Sequence, residues 1–409
     1  MDKKSNDEKI NSFLHYGWIP RLDREPPIPL QWFDKTITST DHSTKRGANI
    51  LREAVTHCIG DTKEVVIPIS GGLDSRVILA IAHELNCNIT AITVGTPGTY
   101  DFEYGRMVAE KLGVRHDAID VTKLEITTDK LVKKARELDD WVNITEVYFN
   151  LLANTYFPDK KIITGLLGDF VAGEFAHKNY NSYEEAKVAF AQDTQRSKNA
   201  PLAAKDFDAT KVLPDSPGTT NLNYYEDIVL RARHTCTLRP NVFAKNFNYQ
   251  SPFRNQAWVE YMMSAPPTAR MHKKLYIEIL NQYWPHVFSL PSKNGFGAST
   301  KSSAITQLVK RLQLRSSSAL RNRLPALQSL LGPDPMVNYF NVNEVLHTDT
   351  ALRNLLIENV SDLQKRNILQ WLDVEQLFAD VFTSTKSYPA GEGNPLLVLA
   401  NLEINLKSK

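Results

Sequence analysis

The string Ser70-Gly71-Gly72-Leu73-Asp74-Ser75 has the residue types and order that polyanion chemistry asks for. Glycines let the backbone approach a charged ligand closely, and Ser70 and Ser75 add hydroxyl donors. The β-branched run 64–69 before the string reads as a buried strand, and the apolar run 77–82 after it as a helix. The string would then lie at a helix N-terminus, where unpaired N–H groups and the positive end of the dipole face the ligand. Asp74 suits an anion site only with a cation beside it, most simply Mg²⁺ bridging phosphate oxygens. A capped Gly/Asp turn with no ligand is the plain alternative. The order G-x-x-x-x-G-K-[ST] is missing, so γ-phosphate transfer is not the expectation.

Those residues need elements to hold them. Ala48 to Cys58 has helical apolar spacing, with Gly60 as its stop. Cys87 to Val94 and Lys161 to Gly165 read as strands, and Tyr104 to Leu112 and Trp141 to Ala153 as helices. Such alternation predicts right-handed βαβ units: an α/β fold with a doubly wound parallel sheet and a helical C-terminal half. The expected segments are a lead (1–45) with a frayed first dozen residues and an α/β core (46–175). A polar, partly helical insertion (176–224), a helical completion (225–300) and a C-terminal helical region (301–409) follow.

The string resembles the SGGxDS pyrophosphate loop of the N-type ATP pyrophosphatases, and further motifs follow in order. Val94-Gly95-Thr96-Pro97-Gly98-Thr99-Tyr100-Asp101, Thr164-Gly165-Leu166-Leu167-Gly168-Asp169, Ser251-Pro252-Phe253 and Leu290 to Gly297 are similar to segments of the asparagine synthetase C-terminal domain. The resemblance implies an adenine nucleotide alpha hydrolase-like fold and an ATP- and Mg²⁺-dependent ligase. It would adenylate a small-molecule or peptide carboxylate, release pyrophosphate and pass the acyl group to ammonia or an amine. It further implies that Asp74 and Asp169 hold Mg²⁺, with Asp101 as a helper, and that Lys293 meets developing negative charge. Ser70, Gly71, Gly72, Asp74 and Ser75 would cradle phosphates, while Pro68, Val94, Thr164 and Gly165 line the adenosine pocket. The bland readings are a helix N-cap for Asp169 and a turn lysine for Lys293.

Three departures qualify the likeness. Position 2 is Asp2, where the family's glutaminase domain needs a cysteine, and about 45 residues precede the synthetase-like stretch. The amine is therefore expected as ammonia, from a separate glutaminase or carrier partner, or as a substrate amine. Leu166 stands where asparagine-forming members carry a glutamate, and leucine cannot take up a proton. Asn248 to Asn255 replaces the charged surroundings of the family's VPFLD, so free asparagine is not the expected product. A degenerate, nucleotide-binding regulatory protein is the rival reading.

Composition narrows the rest. Lys+Arg (48) balances Asp+Glu (46), which gives no global case for nucleic acid or an anionic membrane. No run of about 18 apolar residues occurs, and the N-terminus lacks a signal-peptide core, so a cytoplasmic location is expected. Three separated cysteines and ten histidines without HxH or HxxxH spacing offer no metal or disulfide framework. The basic stretch from Lys301 to Arg323 reads as a solvated helix face, with RNA or a carrier as the alternative.

Overall fold

Val65, Val66 and Ile67 are buried on both faces of β1 (Glu64–Pro68), as the central strand of a covered parallel sheet requires. A computed structural model describes residues 3–34, 41–138, 140–145, 147, 151–152, 156–238, 248–323, 332–348, 350–382 and 388–409. In it β1 pairs with β2 (Asn88–Gly95) on one side and with β4 (Ile162–Ile163) on the other. β3 (Arg115–Asp120) and β5 (Tyr249–Gln250) complete a five-stranded, all-parallel sheet in the order β3-β2-β1-β4-β5. The chain thus runs outward in one direction through β3, then returns to the centre and runs outward the other way. The reversal lies between β1 and β4. There the loops leaving the two strands diverge and open a crevice at their carboxyl ends.

The helices follow the expected alternation with a few shifts. Helix Thr44–Ile59 is capped by Ser43 and stops at Gly60. Helix Asp74–Glu84 is buried from Ser75 to Ala82, and helix Tyr100–Leu112 begins four residues earlier than its apolar spacing indicated. β4 is shorter than expected. β3, with the sequence Arg-His-Asp-Ala-Ile-Asp, had no strand pattern because it is a half-solvated edge. β5 comes from far beyond residue 175 and extends the sheet.

The lead corrects one expectation. Residues 3–12 are not frayed: helix Lys3–Tyr16 starts there, because Ile10, Phe13 and Leu14 pack into a second apolar core. That core also takes up the C-terminal helix Pro395–Ser408, while the main core lies between the sheet and its covering helices. A second correction concerns Trp141 to Ala153. Residues 141–143 are not helical, since buried amides of the C-terminal helix hold them: Asn405 exchanges two hydrogen bonds with the Val142 backbone (both 2.8 Å), and Asn401 accepts from the Ile144 N–H (2.9 Å). Much of the remainder of that expected helix lies outside the described residues. No helix among the described residues is long and apolar enough to cross a membrane.

Candidate active site

Ser70 to Ser75 forms a tight loop between β1 and helix Asp74–Glu84 at the switch-point crevice. The Ser70 N–H donates to Ser75 Oγ (3.2 Å), and the Gly72 N–H to Ser70 Oγ (3.2 Å). Gly71 has no room for a side chain: a Cβ there would lie 2.9 Å from the Tyr100 carbonyl and 3.2 Å from Lys293 Cβ. Pro68 ends β1, Val94 is the penultimate residue of β2, and Thr164 and Gly165 follow β4 directly. All four therefore lie at the same edge of the sheet as the loop.

Asp74 and Asp169 are brought together by Gly168. A Cβ at Gly168 would come within 2.6 Å of Asp74 Oδ2, so only a glycine lets the Asp169 turn approach. Asp74 Oδ1 accepts from the buried Tyr276 hydroxyl (2.8 Å). Burial pushes the Asp74 pKa well above the usual carboxylate range, the neighbouring Asp169 charge pushes it further, and the hydrogen bond from Tyr276 only partly offsets this. Asp169 opens the single helical turn Gly168–Val171, and its carboxylate pairs with Lys273 (2.6 Å), which also reaches Glu174 (2.6 Å). Burial works against charge on Lys273, but Asp169 and Glu174 outweigh it and raise its pKa. Leu167, His272, Lys273 and Phe296 all hold left-handed backbone (φ 73°, 55°, 60° and 55°). That strain lies in three loops converging on the crevice, where surrounding packing sustains it.

Lys293 meets the loop at Gly71. Its backbone N–H donates to the Gly71 carbonyl (2.9 Å), and its ammonium pairs with Asp101 and the Asn338 amide oxygen. Asp101 uses its other oxygen to accept the Gly71 N–H (3.0 Å), so one carboxylate joins the phosphate loop to the lysine. Beneath them lies Arg76, fully buried. Its guanidinium donates to the carbonyls of Gly71 (3.3 Å), Pro291 (2.5 Å) and Val287 (3.4 Å), clamping the lysine loop onto the phosphate loop. Among the described residues Arg76 has no carboxylate in ion-pair contact, and its Nε has no partner. Burial brings its pKa down to about 10. A buried positive charge thus backs the loop that would receive an anion.

A family model described as asparagine synthase matches residues 47–235. The matched stretch contains the phosphate loop, Asp101 and Asp169, and this likeness supports an ATP-using, amide-forming function of the synthetase type. No curated protein matches the chain. Lys273, Tyr276 and Lys293 lie beyond the matched stretch and complete the crevice from the helical half.

Three of these residues escaped sequence reasoning. Met271-His272-Lys273-Lys274 reads as an ordinary polar turn, Tyr276 as one aromatic on a helix, and Arg76 as one charge in an apolar run. Only the last carried a signal, since a lone arginine among Val77 to Ala82 has no local counter-ion. Asp74 and Asp169 supply hard carboxylate oxygens of the kind Mg²⁺ takes, and the electrostatic penalty on Asp74 is what a divalent cation would relieve. Among the described residues no group of three or more His, Cys, Asp and Glu side chains forms a metal cluster. A cation here would therefore take its remaining ligands from phosphate and water, as Mg²⁺ commonly does.

Proposed function

We propose that this protein activates a carboxylate with ATP, releasing pyrophosphate and forming an acyl-AMP, and then transfers the acyl group to an amine. A carboxylate oxygen attacks the α-phosphorus and the bond to pyrophosphate breaks. The amine nitrogen next attacks the acyl carbon, a proton is lost, and AMP leaves as the amide forms. The observation that carries this reading is the convergence of the Ser70–Ser75 loop, Lys293 and the Asp74/Asp169 pair on one switch-point crevice.

The roles follow from charge. The loop amides, the helix N-terminus and buried Arg76 together favour a polyphosphate. Lys293, tied by its backbone to Gly71, is positioned to stabilise charge that grows on the leaving pyrophosphate. Asp74 and Asp169 would hold Mg²⁺, which neutralises phosphate oxygens when bound. Lys273 and Tyr276 keep the two carboxylates oriented. Leu166 leaves the amine's proton without a carboxylate at that position, which supports a product other than free asparagine.

The test is ATP–pyrophosphate exchange with Mg²⁺ and panels of carboxylic acids, with AMP and ADP resolved separately. Exchange that depends on one acid, followed by amine-dependent AMP release, is the expected result. ADP formation would overturn the mechanism. ATP binding with no exchange across the panels would favour the regulatory reading.

A further inference from the structure

Away from the crevice the molecule has a second polar cavity of about 470 Å³. It lies between the end of helix Lys3–Tyr16, the turn 193–199, the π-helical stretch Val229–His234 and the loop leading to the C-terminal helix. Three cations line it, Arg196, Lys198 and Arg233, against one acidic lining residue, Asp193. The Asp193 carboxylate is already engaged by Lys178 and by the Tyr225 hydroxyl (3.0 Å). Arg196 donates to the Tyr16 carbonyl (2.9 Å) and pairs with Glu392 (2.6 Å). The guanidinium of Arg233, half-buried at the cavity wall, has no hydrogen bond or ion pair in contact among the described residues; its charge acts on Glu392, but that carboxylate is already paired with Arg196.

A half-buried guanidinium loses hydration without regaining it from protein, and its planar set of donors matches a carboxylate or phosphate. Ser197, between Arg196 and Lys198, adds a second sign. Its backbone is left-handed (φ 50°) and its buried hydroxyl has no partner among the described residues. Strained backbone and orphaned polar groups persist where something other than stability maintains them. The π-helical stretch has the same character, since π-turns are rare and gather at functional positions. Its last residue, His234, packs edge-on against Phe170 (5.2 Å), the residue after Asp169. One turn thus carries Arg233 into the cavity and touches the Asp169 turn.

We infer that this cavity is a second anion site, separate from the phosphate loop, which takes a small organic carboxylate or phosphate with Arg233 as its main ligand-binding residue. The inference stands apart from adenylation, because an anion would bind here whether or not the phosphate loop turns over ATP.

Calorimetric titration of the full chain with succinate and with methyl phosphate, at low salt, tests it. At least one probe should bind the wild type, and which one binds tighter tells carboxylate from phosphate. Arg233→Gln should weaken that binding tenfold or more, Arg233→Lys should restore part of it, and Lys293→Ala should leave it unchanged. Equal affinity in wild type and Arg233→Gln would sink the assignment, as would no binding to wild type. Loss in Lys293→Ala with retention in Arg233→Gln would place the anion at the phosphate loop and sink it equally. Pyrophosphate exchange, read on the same variants, reports adenylation separately, so either idea can fail alone.

Discussion

Arg76 beneath the phosphate loop and Asn405 in the C-terminal helix are both inaccessible to solvent, but their hydrogen-bonding groups meet different fates. The Asn405 side chain accepts from the Val142 N–H and donates to the carbonyls of Val142 and Asn401, so every one of its groups is met. Among the described residues Arg76 keeps a buried charge without a counter-ion in contact and an Nε without a partner. The same contrast runs through the two regions. Around the crevice, Asp74 is crowded by Asp169 and non-glycine residues hold left-handed backbone. Along the C-terminal helix, Asn394 and Asn401 donate to the amide oxygens of Asn343 and Asn143, and Asn405 exchanges two bonds with the Val142 backbone. One oxygen of buried Glu403 is the exception, left without a hydrogen bond among the described residues. Polar burial that is fully satisfied fixes one packing arrangement, whereas polar burial left under-satisfied is a reservoir that a charged ligand can relieve.

That comparison can be broken by substitution. The largest effect is expected from Asp74→Asn, which should reduce pyrophosphate exchange more than about 10³-fold by weakening the hold on a cation. The same change should raise thermal stability at pH 8. The folded-state pKa of Asp74 is raised, so its contribution to stability is present in acid and lost as pH rises through that pKa. The gain from asparagine should therefore shrink towards pH 4. Melting curves at both values check the sign, and a lower Tm for the variant at pH 8 would contradict the view that Asp74 is crowded.

Lys293→Ala should slow exchange by ~10²-fold while the fold persists, because the loop stays tied through its backbone and Arg76. A loss below threefold would return Lys293 to an ordinary turn residue. On the scaffold side, Asn405→Leu should cost about 2–4 kcal/mol in urea unfolding, since it orphans the Val142 N–H and carbonyl, with turnover per folded molecule unchanged. Falling activity at unchanged stability would erase the distinction between the regions. The smallest effect is expected from Asp101→Asn, which keeps an acceptor for Gly71 but loses the charge facing Lys293. Exchange should fall about tenfold, the value of one charge-assisted hydrogen bond, and steady-state kinetics would show it.

Legibility in the sequence tracked the distance over which residues cooperate. β1, the phosphate loop and its helix occupy consecutive residues 64–84, so alternation, glycines and helix spacing reveal them together. β3 and β5 were invisible, one because it is a polar edge and the other because it is two residues long. Lys273 and Tyr276 were equally hidden. They meet Asp169 and Asp74 across 104 and 202 residues, and nothing in their local sequence announces a carboxylate partner.

What the chain order alone determined is therefore the chemistry on offer: a strand, a glycine-bearing anion loop and a helix N-terminus, all set by short-range backbone preferences. Asp74 could be named from it, whereas Asp169, Lys293 and the pairing of the two aspartates on Mg²⁺ were implied by the family resemblance, without the contacts that hold them. Only the tertiary structure decided that Gly168 seats Asp169 against Asp74, that Asp101 joins Gly71 to Lys293, and that Arg76 lies buried beneath both. It likewise decided that Val142 would be held by Asn405, more than 250 residues away, instead of entering a helix. The reason is physical. Burial, charge proximity and hydrogen-bond satisfaction are properties of which elements come to face each other, and the reversal of strand order between β1 and β4 sets that facing.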